Sequence, residues 1–175
     1  MRTYSLIRSD RRTLSLELTR DGTVLVRAPR RLSRAKIDAF VQDHEDWIVR
    51  HEANLARRNA FEQENFASPE QLAALTEKAR RILPQKTLEW AHIMNVSPTG
   101  IRITQAKTRF GSCSSQNSIC YSCRLMAYPE EAIDYVIVHE LAHIRHKNHS
   151  AAFYSFIARF LPDYRKREAI LRQKD

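Results

Sequence analysis

Residues 13–19 alternate apolar and polar positions, Asp21-Gly22 is a turn dipeptide, and residues 23–28 resume the alternation before Pro29. This pattern predicts short strands joined by a hairpin turn. From Ser33, a candidate N-cap, the period lengthens. Ile37, Phe40, Val41, Trp47, Ile48 and Leu55 recur at helical spacing with charges between them, which predicts a long helix reaching about Asn65. Ser68-Pro69 opens a second helix through Leu72, Leu75, Ile82, Leu83 and Leu88 to about Ile93, with Pro84 expected to kink or interrupt it.

After residues 98–100 the alternation returns. Residues 101–104 and 118–125 read as strands, and the polar stretch 107–116 between them reads as a turn, whose only glycine, Gly111, would let the backbone turn or approach a neighbour closely. A helix follows Pro129, and residues 130–143 are apolar on nearly every side, as a core helix requires. The elements add up to an α+β chain: an N-terminal strand-plus-long-helix region, then a short antiparallel sheet and a core helix. The natural division is a basic N-terminal region, 1–97, packed on a C-terminal core, 98–175, or one integrated domain.

The core helix carries His139-Glu140-Leu141-Ala142-His143, the HExxH pattern. Two imidazoles four residues apart lie about 6 Å apart along a helix axis, so both reach one ion from one face. Glu140 then lies beside the ion, where a carboxylate takes a proton from metal-activated water. Left without a metal, such polar groups inside an apolar helix would cost on the order of several kcal/mol to bury unpaired. His149 stands ten residues after His139. On a straight helix it would lie about 15 Å away along the axis, so sharing the ion requires the helix to break. Asn148 as a left-handed residue and Ser150 as the N-cap of a helix running to Pro162 supply that break. His146 is the rival third ligand, at about 10 Å along the axis from His139. It is otherwise a candidate donor to a developing oxyanion, together with Arg145, Tyr154 and Tyr164. The reading is a zinc site of His139, His143 and His149, with Glu140 as general base. His44, His51 and His92 receive no role.

Composition adds charge to this picture. The formal net charge is +9, and residues 1–36 hold ten Arg or Lys against Asp10, Glu17 and Asp21. That surface would attract polyanions, so nucleic acid joins protein or peptide as a candidate partner. No apolar run is long enough for a bilayer and charges break the N-terminal stretch, so a cytoplasmic location with no membrane partner is expected. Cys113, Cys120 and Cys123 are too few for a four-thiolate zinc site and odd in number for a disulfide framework, so ordinary reduced thiols are expected, with an accessory metal or redox role the alternative.

The chain resembles the YgjP-like metal-dependent hydrolases, relatives of the SprT-like and WLM-type zinc peptidases. The resemblance rests on residues 11–16, 23–33, Thr108 to Ser114, Tyr135 to His143, Lys147 to Tyr154 and Leu161 to Glu168. It implies a zincin-like fold with His139, His143 and His149 as Zn2+ ligands, Glu140 as base, and a peptidase activity. Phe110 stands where the family usually has Trp, which keeps the aromatic bulk and loses an N–H donor. Some of the wider relatives degrade proteins crosslinked to DNA, which the basic charge would suit. Two rivals stay open. Bacterial ribosomal-RNA maturation endonucleases use three histidines at this spacing but a small residue where Glu140 stands. A non-enzymatic nucleic-acid or protein adaptor would keep zinc for structure alone, closed by a fourth protein ligand such as a cysteine.

Overall fold

The computed structural model describes residues 2–174. The chain divides into two compact units, Met1–Phe61 and Glu62–Asp175.

In the first unit, β2 (Ser15–Leu18) and β3 (Val24–Pro29) form the hairpin that the alternation predicts, with Gly22 at φ 86° in its turn. A further strand, β1 (Ser5–Ser9), pairs with β3 in parallel, so the sheet is mixed, in the order β1-β3-β2. Alternation decides which side faces inward. Val24, Val26 and Ala28 are buried with Ile37, Val41 and Ile48 of the following helices. The predicted long helix is two: α1 (Arg34–Asp43), capped by the Ser33 hydroxyl, and α2 (Glu45–Phe66). The break is at His44, a residue with no sequence mark of a breaker. Its Nδ1 takes the Phe40 carbonyl at 2.8 Å, while its own backbone N–H turns to the Val41 carbonyl at 3.2 Å. The same ring-to-carbonyl contact of His51 with Trp47 lies inside the unbroken α2, so the break itself is the shift of the His44 backbone N–H.

The second unit begins within α2, and α3 (Pro69–Met94) belongs wholly to it. The boundary between the two units falls inside α2. The reason is packing: Ala79, Leu83, Thr87, Ala91 and Met94 form a buried stripe on α3, which packs against the C-terminal elements. Ser68 and Gln71 form a reciprocal capping box, and α3 runs on through Pro84. Asn95, left-handed at φ 51°, ends it.

The second sheet has the order β4-β6-β5, with β4 (Gly100–Thr104) parallel to β6 (Ser118–Ser122) and β5 (Gly111–Cys113) antiparallel to it. β5 arises inside the polar stretch read as a turn, and it is an edge strand. A 3-10 turn (Cys123–Ala127) then buries Arg124, which forks onto the Glu62 carboxylate at 2.9 and 3.2 Å and lies 4.2 Å over the Phe66 ring. Helix α4 (Glu130–Arg145) is the central element, with Val136, Ile137, Val138, Leu141 and Ala142 buried. Fully burying a Val, Leu or Ile side chain is worth about 1.5–3 kcal/mol. Lys86 ties α3 to α4 by ion pairs to Glu130 at 2.5 Å and Asp134 at 2.9 Å.

Two short helices, α5 (Ala151–Ala158) and α6 (Tyr164–Lys174), complete the unit. The chain leaves α4 at His146 in extended conformation (φ −127°, ψ 99°), and Asn148 is not left-handed, contrary to expectation. Ser150 precedes α5 without a side-chain capping bond. The helix also stops short of Pro162, because the Phe160 N–H turns back to the Ile157 carbonyl at 3.0 Å. Among the described residues no helix is long and apolar enough to cross a membrane.

Candidate metal centre

His139 and His143 face one side of α4, with ring centroids 5.0 Å apart. The extended exit at His146 turns the chain back, so that His149 comes within 5.1 Å of the His139 ring and 4.7 Å of the His143 ring. One ligand atom from each of the three lies within 4.8 Å of the others. Phe153, on the first turn of α5 and fully buried, is a common floor, with its ring 4.9, 4.5 and 4.9 Å from those of His139, His143 and His149.

The outward nitrogens have their own partners. His143 Nδ1 meets the His146 carbonyl at 3.0 Å. A carbonyl only accepts, so Nδ1 carries the proton and the lone pair is on Nε2, facing the cluster. His139 Nδ1 meets the Tyr135 hydroxyl at 3.4 Å. Burial, reinforced by the other two imidazoles, lowers the His139 pKa to about 3, and burial also lowers that of His143. Both are therefore neutral at pH 7, the form that ligates a metal.

The donor set fits a small divalent ion. Metal–nitrogen bonds of about 2.0–2.1 Å in tetrahedral arrangement place two nitrogens about 3.3 Å apart. His139 Nε2 and His149 Nε2 are 3.1 Å apart. Two ring nitrogens so close need either a shared proton or a cation between them. Among the described residues no cysteine joins the group, and Cys113, Cys120 and Cys123 are free thiols, half-buried, half-buried and buried.

Glu140 lies beside this cluster at 6% exposure, and burial raises its carboxyl to about 8, partly opposed by the charge of Arg109. Gly111 of β5 packs directly on it. A Cβ at that position would stand 2.5 Å from Glu140 Oε1, 2.7 Å from Cγ and 2.8 Å from Cδ, so only a glycine lets strand and carboxylate approach this closely. Phe110, Gly111, Tyr135, Val136, His139 and Glu140 line a cleft of about 240 Å³, whose far wall is Glu168, Leu171 and Arg172 of α6. A larger hollow of about 760 Å³ lies in the N-terminal unit, but its polar groups pair with one another, Arg2 with Glu45 and Tyr4 with Asp38.

The four candidate oxyanion donors separate into two pairs. Arg145 donates to the Asn95 carbonyl at 2.9 Å, and both it and the His146 ring pack on Phe156, at 5.6 and 5.5 Å. Tyr154 is on the His149 side, 6.3 Å from that ring, and stacks on Tyr164 at 5.9 Å. Gly111 is the glycine at which the sequence allows a close approach, and Glu140 is the neighbour it approaches, whereas Tyr135, Phe153 and the α6 wall have no role assigned by the sequence. Tyr135 and Phe153 stand four residues from His139 and His149, a helical-neighbour spacing that could have flagged them. The α6 wall leaves no local mark.

Among solved structures the chain is similar to the metallopeptidase zymogen abylysin of Pyrococcus abyssi, at 20% identity over 53% of this chain and 94% of that one, with a TM-score of 0.49. It is also similar to the metallopeptidase zymogen jannalysin of Methanocaldococcus jannaschii, at 22% identity over 52% of this chain and 94% of that one, with a TM-score of 0.47. No curated protein matches. The family description that matches is YgjP-like, metallopeptidase domain, and it does so over residues 12–75 and 72–174, nearly the whole sequence. With that coverage, the chain belongs to the YgjP-like metallopeptidase-domain family.

Proposed function

We propose that this protein is a zinc-dependent peptidase in which His139, His143 and His149 hold the ion and Glu140 is the general base. The observation that carries the reading is three converging imidazoles over the buried Phe153 ring, beside the Glu140 carboxylate that lines one cleft with His139. A zinc ion held there supplies a Lewis acid and makes water acidic near neutral pH.

Glu140 takes a proton from the attacking water and delivers it to the leaving amine nitrogen. Gly111 and the surrounding apolar helix fix the carboxylate and exclude bulk water from it. The outer edge of β5 offers backbone N–H and C=O groups to an extended peptide, which would lie along the Gly111–Cys113 strand and across the cleft. A carboxylate in this place serves amide hydrolysis, which needs a proton carried to the leaving nitrogen.

The test pairs metal content with turnover on an unfolded protein, single-stranded DNA and RNA, for wild type and Glu140→Gln. The variant should bind a single equivalent of zinc as wild type does and lose protein hydrolysis by about 10²–10⁴-fold. A fully active Glu140→Gln protein would refute the assignment, and Glu140-dependent RNA cleavage without proteolysis would move it to a nuclease.

A further inference from the structure

His149 is the one member of the three-histidine group outside a helix. It is exposed and lies in the irregular segment 146–150 between α4 and α5. A ligand on such a segment loses conformational freedom when it binds a metal, unless something else has already fixed the segment. Two basic residues beside His146 supply that fixing. Arg145 Nη2 donates to the Asn95 carbonyl at 2.9 Å. Lys147 Nζ donates to the Asn117 Oδ1 at 2.6 Å and to the Ser114 carbonyl at 3.3 Å.

The places where these two side chains land have something in common. Among the described residues, Asn95 and Asn117 are the only non-glycine positions with positive φ, at 51° and 63°. Left-handed residues of this kind mark tight turns whose surroundings hold them. Asn95 closes α3, with its N–H on the Ala91 and His92 carbonyls. Asn117 closes the β5–β6 turn, where its N–H reaches the Ser114 carbonyl at 3.0 Å and its own carbonyl accepts from the Thr99 N–H at 3.0 Å. The ligand-bearing segment is therefore pinned at its start to the end of one helix and, two residues before His149, to the hairpin whose strand β5 packs on Glu140.

We propose that Lys147, through Asn117 and Ser114 and seconded by Arg145 on Asn95, is a positioning residue that holds the 146–150 segment with His149 poised for the metal before the metal arrives. The proposal rests on the reading of His149 as a ligand. It also makes the β5–β6 hairpin a common support for the third ligand and for Glu140, so displacement of that hairpin would disturb both together.

The test is zinc affinity by chelator competition on the full chain, for wild type, Lys147→Met, Asn117→Gly, the double variant, Lys147→Arg and His149→Ala. Glycine accepts a φ of 63° without strain, so Asn117→Gly removes the acceptor and keeps the turn. Lys147→Met and Asn117→Gly should each weaken zinc binding by about two- to tenfold, the worth of one net hydrogen bond. The double variant should be no weaker than Lys147→Met, because the lysine makes both bonds, and Lys147→Arg should keep most of the wild-type affinity. Unfolding of the metal-free protein should be unchanged, which separates positioning from general stability. If His149→Ala loses affinity while Lys147→Met and Asn117→Gly bind as wild type does, the clamp is overturned and the ligand reading stands. If His149→Ala also binds as wild type does, the ligand reading fails and the clamp with it.

Discussion

Gly111→Ala is the sharpest probe of the geometry around Glu140. The added methyl carbon would stand 2.5–2.8 Å from three atoms of the Glu140 side chain, 0.6–0.9 Å inside the 3.4 Å at which ordinary contact begins. The carboxylate oxygen is the free end of a side chain and can swing, but Cγ and Cδ are closer to the α4 backbone and have buried neighbours. If the side chain yields, it leaves its rotamer at a cost of about 0.5–1.5 kcal/mol. If the strand yields, the cost is that of an overpacked core, about 1–3 kcal/mol. Either the carboxylate or the strand beside it is then displaced by roughly 1 Å, and a displacement of that size around a reacting group lowers turnover by about 10²-fold. The three histidines lie outside the overlap, so zinc affinity should be retained if the side chain yields, and should fall together with turnover if the strand and its hairpin move. The assay is hydrolysis of an unfolded protein by the zinc-loaded enzyme, with urea unfolding alongside. Combined with Glu140→Gln, the alanine should slow the enzyme no further, because the group it displaces is already inactive. A Gly111→Ala enzyme with wild-type turnover and wild-type stability would refute the close approach and the role given to Glu140's placement.

Tyr135→Phe removes the hydroxyl facing His139 Nδ1 at 3.4 Å and should weaken zinc about tenfold, read by chelator competition; unchanged affinity would show that the phenol does not orient the ring. The acid side of the stability profile has a separate origin. Lys86 holds the Glu130 carboxyl below its usual 4.5, so the pair stabilises the fold above that pH and the contribution is lost as pH falls through the lowered value. Lys86→Gln should therefore lose less stability than wild type between pH 5 and about pH 3 in urea titrations. Parallel profiles would discount the pair.

Where the sequence and the structure part company, the cause is nonlocal contact or a local change of bonding that pattern does not encode. The β2–β3 hairpin, the capped start of α3 and the span of α4 follow from alternation, a capping box and a proline boundary. Strand β5 does not: three residues, Gly111, Ser112 and Cys113, have no alternation of their own and are a strand because β6 pairs with them. The division of α1 from α2 falls at His44, whose backbone N–H turns to the Val41 carbonyl, a change of bonding invisible in residue type. Asn148 was a reasonable left-handed residue on propensity, yet the reversal that brings His149 back is made by an extended His146.

The spacing His139, Glu140, His143 follows from helical periodicity alone, because a four-residue step on a helix puts two imidazoles on one face whatever surrounds it. The positive charge of residues 1–36 and the absence of a long apolar span are likewise properties of the chain itself. The tertiary fold decided what lies around that face. It set the return of His149, the Phe153 floor and the hydroxyl and carbonyl behind the rings. It also put Gly111 against Glu140, and Arg145 and Lys147 on their asparagine turns. The physical reason is range. Periodicity and capping act over three or four neighbouring residues, whereas a buried carboxylate, an oriented imidazole and an anchored segment each depend on groups brought in from tens of residues away.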